Sequence, residues 1–239
     1  SPFDWEHTLI LERNDVSVRK LEGIEVEEAR VLKTVDENDL KDVTIVVENV
    51  NKLSSDVEFQ VNLNEGQKTG FFLDQTFNMR LLINHLEQQK ESLKNKKIKI
   101  LDLCCYMGQW SSQIVSNLKS WGIVCEVHLV DISALALEKA KFNIQKYYDD
   151  QCPVEILTYK KDVLEISDLP ENFFDIVISD PPAFVKNKKD IHQGLHAYYK
   201  LNLQALRLAA PGAVMVSCTC SGLVQMDDFK ASLRKAVLK

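Results

Sequence analysis

Long apolar runs and signal segments are both missing from this sequence of 239 residues. No run of apolar residues approaches the roughly 20 needed to cross a bilayer. No charged and then apolar segment of the secretory type opens the chain. Hydrophobic residues make up 45% and charged residues 27% of the sequence, which is ordinary for a globular protein. These features predict a cytoplasmic protein.

Metal-binding patterns are missing as well. The six cysteines form no Cys-x2-Cys repeat, and a chain of this length does not need disulfides to fold. His192 and His196 lie four residues apart on a predicted helix, but no third ligand is apparent, so surface histidines are the better interpretation. We expect no metal. Each cysteine is interpreted as a small buried hydrophobe unless its position argues otherwise.

An excess of basic residues is missing too, because the net charge is -6, whereas a free-standing nucleic-acid binder usually has a basic surface. A polyanionic partner would therefore need a local patch. Lys186, Lys188 and Lys189 follow one turn closely, and Lys68 lies in a glycine-flanked loop. A phosphate-binding mouth and a solvated surface explain these lysines equally well.

The order of short apolar and longer amphipathic segments from residue 97 to 239 predicts an α/β fold with a doubly wound, Rossmann-like sheet. Before it, alternating apolar residues from Val57 to Leu63, with Thr44 to Val50 as an antiparallel partner, predict a small β-rich element. The expected domains are 1–65, 66–96 as a connecting loop and helix, and 97–239. The predicted strands are 98–103, 124–130, 154–159, 174–179 and 213–219, and the predicted helices are 75–93, 109–120, 134–148, 190–210 and a last one from Met226 to Val237.

Pro211 and Gly212 are expected to end the helix before the last strand and turn the chain back into the sheet.

Acids follow three successive strands of the predicted sheet. Asp102 ends the first strand and is followed by a turn that contains Gly108, at the edge where doubly wound sheets bind ligands. The other two glycines of the dinucleotide fingerprint are absent. Asp131 is placed to accept hydrogen bonds from a ribose, and Asp162 to accept one from an adenine amine. Together these acids indicate S-adenosylmethionine, whose adenosine group carries no phosphate that they would repel. The alternatives are acids that only cap helices and, for Asp131 alone, a nicotinamide dinucleotide. The predicted cofactor-binding residues are Asp102, Tyr106, Gly108, Asp131, Ile132, Asp162, Val163 and Asp180.

The segment Asp180-Pro181-Pro182-Ala183-Phe184 ends another strand. Its two prolines make a stiff turn, which we expect to aim Asp180 and Phe184 at the ligand edge. Phe184 can stack on a base that leaves its RNA, and Asp180 can bond the polar edge of that base.

A thiol at the same edge would allow methylation of carbon, because C5 of a pyrimidine becomes nucleophilic only after a thiolate adds to C6. Cys220 lies just past the strand that begins at Ala213 and is the predicted nucleophile, whereas Cys218 is expected to face the core. Cys220 and Asp180 are therefore the predicted catalytic residues.

These residues resemble the RlmI-like family of class I S-adenosylmethionine-dependent 23S rRNA methyltransferases, which make 5-methylcytosine. The matching stretches are Glu12–Val16, Gly66–Gln75, Asp180–Lys188 and Cys220–Leu223. The resemblance implies that Cys220 is the nucleophile and that Asp131, Asp162 and Asp180 hold cofactor or substrate. It also implies that the partner is RNA, most simply ribosomal, and it leaves the oligomeric state open, with a homodimer among the alternatives. The predicted substrate-binding residues are Lys68, Phe72, Asp74, Pro181, Pro182, Phe184 and Lys186.

The chain departs from this family at several points. The RNA-binding PUA domain that normally comes first is not in the sequence, and the family's last two strands are expected beyond Lys239. Thr76 and Met79 stand where two arginines are expected. Two rival functions follow: methylation of a base nitrogen without a thiol, and a non-catalytic RNA-binding or assembly module.

Overall fold

Two units make up the protein in the computed structural model, which describes residues 10–12, 14, 18–33, 43–49, 56–63, 71–147 and 153–239. One unit comprises Ser1–Val46 and Glu58–Gln75, and the other comprises Val47–Val57 and Thr76–Lys239. The predicted loop from Gly66 to Gly70 lies outside the described residues.

Short strands dominate the amino-terminal part, as predicted. The elements are β1 (Ile10–Glu12), α1 (Val18–Leu21), β2 (Arg30–Lys33), β3 (Val43–Val47) and β4 (Val57–Val61). Strand β1 pairs with β2 in antiparallel fashion, and β3 pairs with β4. Along β4 the side chains of Val57, Phe59 and Val61 are buried and alternate with more exposed ones, because successive side chains of a strand point to opposite faces.

A five-stranded parallel sheet forms the centre of the larger unit. Its elements are α2 (Thr76–Gln88), α3 (Lys90–Leu93), β5 (Ile98–Leu103), α4 (Gln109–Ser120), β6 (Cys125–Asp131), α5 (Ala134–Gln145), β7 (Val154–Lys160), β8 (Phe174–Ser179), α6 (Ile191–Leu208), β9 (Ala209–Ser217) and α7 (Met226–Val237). The strand order is β7-β6-β5-β8-β9, and each neighbouring pair is parallel. The predicted doubly wound α/β fold is confirmed.

Apolar residues of the central strands point to both faces of the sheet, so two core layers form. One layer packs α2, α4 and α5 against residues such as Ile100 and Val127. The other packs α6 and the loop before β8 against residues such as Leu101 and Val177. Of the helices described, none is long and apolar enough to cross a membrane.

The expected turn at Pro211 and Gly212 is wrong. Helix α6 ends at Leu208, and both residues lie inside β9, where the pairing with β8 jumps from Ala209 to Val214. This bulge accommodates a proline because β9 is an edge strand among those described, and a proline that lacks an amide hydrogen is tolerated at sheet edges and bulges.

Candidate active site

Four carboxylates meet at the carboxyl edge of the sheet. Leu103 is in register with Val130 and Ser179, so Asp131 and Asp180, which follow these two residues, come to the same edge. Burial, and then the charges of Asp131, Asp102, Asp180 and Asp162, raise the pKa of the Cys104 thiol well above its usual range. The charges of all four acids therefore act in the same direction on this thiol.

The turn after β5 has an uncommon backbone. Cys104 and Tyr106 adopt φ angles of 63° and 49°, which few residues other than glycine adopt and which cluster at functional sites. The Tyr106 amide donates to Asp131 Oδ2 at 3.0 Å, so that carboxylate holds the turn in place. Gly108 has φ of 75°, and a Cβ there would lie 3.0 Å from the Cβ of Ala140 in α5. The absence of a side chain at Gly108 therefore lets the turn pack against α5, and it also leaves room for a ligand.

Asp102 is fully buried beneath this turn. Ser111 Oγ donates to its Oδ2 at 2.6 Å, while its Oδ1 is buried without a hydrogen-bond partner. Burial raises the pKa of Asp102 to about 7, and the neighbouring charges of Asp180 and Asp131 act in the same direction. Burial therefore favours the protonated form of this acid.

Asp131 and Asp162 each cap the segment that follows them. Asp131 Oδ1 accepts from the Ser133 amide at 2.9 Å, and Asp162 Oδ1 accepts from the Leu164 amide at 2.8 Å. The capping role weighed for these acids is thus present. A carboxylate has about four acceptor sites, so capping leaves capacity for a ligand. Beside Asp131 the side chain of Ile132 is 71% exposed.

The Asp180 turn is fixed from two directions. The indole Nε1 of Trp110, a buried residue at the start of α4, donates to Asp180 Oδ2 at 2.9 Å. Pro181 is buried and Pro182 is exposed. The Phe184 ring lies against Tyr198 of α6 with 4.8 Å between centroids. The turn is therefore rigid around the carboxylate.

Cys220 lies between two anchored neighbours. Thr219 Oγ1 donates to the Tyr198 hydroxyl at 2.8 Å, and that hydroxyl also pairs with Ser221 Oγ at 2.9 Å. Ser221 Oγ accepts from the Val185 amide at 3.1 Å, which ties this segment to the Asp180 turn. Cys220 is exposed, and its Sγ lies 3.6 Å from the carbonyl oxygen of Pro181.

The other thiols near this edge are less accessible. Cys105 is buried and Cys218 is half-buried, and Cys218 packs against the core layer that contains α4, as expected. Burial, and then the charge of Asp180, raise the pKa of Cys218 well above its usual range. Of the cysteines described, Cys220 alone is classed as exposed.

The remaining predicted residues differ in exposure, and one of them is outside the description. Lys68 lies outside the described residues, Phe72 is half-buried, and Asp74 and Lys186 are exposed. Phe72 and Asp74 belong to the smaller unit. Within the described ranges, no group of three or more His, Cys, Asp or Glu side chains is placed to hold a metal.

Two residues of the site were not predicted. Trp110 binds Asp180 across 70 residues of sequence, and no local pattern reports such a contact. Gly194 does carry a signal, because an isolated glycine in a helical pattern often has a packing reason. A Cβ at Gly194 would lie 2.2 Å from Val185 Cγ2 and 3.0 Å from the Phe184 carbonyl oxygen, so this glycine lets α6 lie against the Asp180 turn.

Residues 94–237 match the family described as "Methyltransferase domain". The match covers more than half of the sequence, and the chain belongs to this family.

Individual relatives carry a narrower name. The Ribosomal RNA large subunit methyltransferase I of Pseudoalteromonas atlantica is 31% identical over 230 residues, which are 96% of this chain and 52% of the relative. The protein of the same name from Serratia proteamaculans is 31% identical over 233 residues, again 96% and 52%. The chain thus spans about half the length of these curated relatives. Their name agrees with the family that the sequence motifs resemble.

The fold also occurs among solved structures. The crystal structure of SMU.776, complexed with SAH, superimposes with a TM-score of 0.60 at 21% identity, over 87% of this chain and 49% of the other. At this identity the likeness supports the fold.

Proposed function

We propose that this chain is an S-adenosylmethionine-dependent methyltransferase of large-subunit ribosomal RNA that acts at C5 of a cytosine, with Cys220 as nucleophile. The observation that carries the proposal is the exposed Cys220 thiol, 3.6 Å from the Pro181 carbonyl oxygen, at the sheet edge where strands that end in carboxylates lie side by side. The names of the relatives support ribosomal RNA as the substrate.

The residues at this edge fit S-adenosylmethionine. Converging carboxylates attract the positive sulfonium and amino groups of this cofactor, and they would repel a pyrophosphate. Asp131 and Asp162 have acceptor capacity for ribose hydroxyls and an adenine amine, and the exposed Ile132 side chain offers an apolar surface for the adenine ring. Tyr106 and Gly108, with the buried residues Val163 and Asp102, complete the proposed set of cofactor-binding residues. When bound, the cofactor supplies an electrophilic methyl group.

Cys220 would start the reaction as a thiolate that forms a bond to C6 of the cytosine. The electrons of the C5–C6 double bond would then make C5 nucleophilic. C5 would form its bond to the methyl carbon of the cofactor as the bond from that carbon to the sulfonium sulfur breaks, and S-adenosylhomocysteine would leave. A base removes the C5 proton, the double bond re-forms, and the sulfur–C6 bond breaks to release 5-methylcytosine and the thiolate. Asp180, oriented by Trp110, would bond or protonate the ring at N3.

Substrate binding is assigned to residues around the same turn. Phe184 would face the base from the position where it packs on Tyr198, and Lys186 would contact a phosphate. Pro181 and Pro182 would keep this turn stiff. Lys68, Phe72 and Asp74 are proposed to contribute from the segment that resembles the family most specifically.

The test uses ribosomal RNA transcribed with 5-fluorocytidine. Fluorine at C5 leaves no proton for the base to remove, so the covalent complex is trapped after methylation. We expect the wild-type protein with S-adenosylmethionine to give a protein–RNA adduct on a denaturing gel. Cys220→Ala should give none, and Cys218→Ala should still give it, because Cys218 packs into the core.

Two outcomes would contradict the thiol mechanism. The first is a Cys220→Ala protein that still transfers the methyl group to the same product on unmodified RNA. The second is a methylated nitrogen in the product, identified by mass spectrometry of the digested nucleosides, which would favour nitrogen methylation at the Asp180 turn.

A further inference from the structure

One face of helix α6 is lined with basic and imidazole side chains. Residues Gly194, Tyr198, Leu201 and Ala205 face the core, while the opposite side leaves His192, His196 and Lys200 exposed at helical spacing. Lys188 and Lys189, in the short 3-10 turn before α6, are exposed too, as is Lys235 of α7. We define the basic strip as Lys188, Lys189, His192, His196, Lys200 and Lys235.

Few acids accompany the part of this strip that lies on α6 and the turn before it. Residues 186–200 contain four lysines and a single acid, Asp190. Asp190 Oδ2 accepts from the Asn187 side chain at 3.1 Å. Among the described residues no ion pair involves a lysine of the strip, whereas Lys96 and Lys97 elsewhere pair with carboxylates. A positive strip of this kind on a protein of net charge -6 favours a polyanionic partner.

Tyr199 holds two members of the strip in place. The His196 ring stacks on the Tyr199 ring with 6.0 Å between centroids, and Lys235 Nζ lies 5.0 Å from the centre of the same ring. Fixing a lysine against an aromatic ring reduces the conformational freedom that it loses when it binds a phosphate. The strip is therefore partly preorganised across α6 and α7.

Packing contacts and a hydrogen bond connect the helix that carries the strip to the candidate site. Gly194 allows α6 to lie against Phe184 and Val185 without space for a side chain. The Val185 amide is bonded to Ser221, the residue after Cys220. From Lys188 to Lys200 the strip extends about 18 Å along the helix, away from the Asp180 turn and long enough to follow several phosphates of an RNA strand.

We propose that the basic strip binds the RNA backbone that flanks the target nucleotide. This inference rests on the proposed function and names the surface that delivers RNA to the Asp180 turn. Phosphate contacts of this kind position a nucleic acid without reading its sequence.

The experiment compares three proteins: wild type, the triple variant Lys188→Gln/Lys189→Gln/Lys200→Gln, and the control Lys90→Gln/Lys94→Gln/Lys141→Gln, which removes the same charge from α3, its end and α5. Binding of an unmodified large-subunit rRNA transcript is measured by filter retention at several KCl concentrations. Each lost phosphate contact lowers the slope of log affinity against log salt by roughly 0.7 to 0.9. The strip variant should therefore lose about 2 to 3 from that slope and at least about tenfold in affinity at low salt, and the control should match wild type.

Calorimetry with S-adenosylhomocysteine, expected to be equal for the three proteins, checks that the fold and the cofactor site are intact. A strip variant that keeps the wild-type slope and affinity would overturn the inference, and so would an equal loss in the control. If wild type forms the Cys220 adduct while the strip variant binds RNA as well as wild type does, the proposed RNA-binding role of the strip is wrong and the proposed function stands. If wild type neither binds RNA nor forms the adduct, the proposed function itself fails.

Discussion

At the scale of single residues, Asp102 shows how burial changes a carboxyl group at this edge. Its pKa rises from 3.8 to about 7, chiefly through burial, so the native protein holds this proton more tightly than the unfolded chain does. Stability that depends on the proton is present at low pH and is lost as pH rises from about 4 to about 7. We predict that the free energy of unfolding of wild type, relative to Asp102→Asn, falls across this window by up to about 4 kcal/mol.

Urea denaturation at several pH values across that window measures this difference. Asn keeps the shape of the side chain and cannot ionise. The free energy of unfolding of Asp102→Asn should therefore vary with pH without the contribution that Asp102 makes in wild type. Asp228→Asn, on the exposed side of α7, controls for replacing one carboxylate by an amide. Parallel curves for wild type and Asp102→Asn would show that Asp102 titrates alike in the folded and unfolded chains.

At the scale of elements, the contact between α6 and the Asp180 turn depends on one missing side chain. A Cβ at position 194 would lie 2.2 Å from Val185 Cγ2, so Gly194→Ala should destabilise the protein by about 1 to 3 kcal/mol through overpacking. At a helical position with free space the same change would stabilise the protein by about 1 kcal/mol. The sign of the change in the free energy of unfolding therefore shows whether α6 packs closely at Gly194. The shifted turn should also slow adduct formation by Cys220.

Thermal unfolding and the rate of adduct formation measure both effects. Gln193→Ala, an exposed neighbour in the same helix, should leave both unchanged. A Gly194→Ala protein as stable and as active as wild type would mean that α6 and the Asp180 turn are not in close contact.

The same elements show what local sequence can predict. Strands β5 and β8 and helix α4 begin and end at the predicted residues, because a change between apolar runs and helical periodicity is a local signal. The bulge at Pro211 and Gly212 is not local, since it depends on β9 lying at the edge of the described sheet. Trp110 and Asp180 are brought together by the pairing of β5 with β8, which is a contact between distant parts of the sequence. The acids at the strand ends were predictable because parallel strands share an edge, but their hydrogen bonds were not.

At the scale of the whole molecule, charge is divided between two surfaces with different partners. The net charge is -6, and four acids gather at the edge where the cofactor is proposed to bind. The basic strip lies instead along α6, the turn before it and α7. A small cation and a polyanion can therefore be attracted to neighbouring parts of one acidic protein.

This division predicts the ligand preference of the intact chain. S-adenosylmethionine should bind with a dissociation constant on the order of micromolar, whereas NADH should bind at least about 100-fold more weakly, because its pyrophosphate meets the four carboxylates. Isothermal calorimetry on the full chain measures both affinities. Asp131→Asn keeps an acceptor for the Tyr106 amide but removes one charge. It should therefore reduce the ratio of the NADH dissociation constant to that of S-adenosylmethionine. No binding of S-adenosylmethionine would favour a non-catalytic RNA-binding module, and tighter binding of NADH would place a dinucleotide, rather than a methyl donor, at this edge.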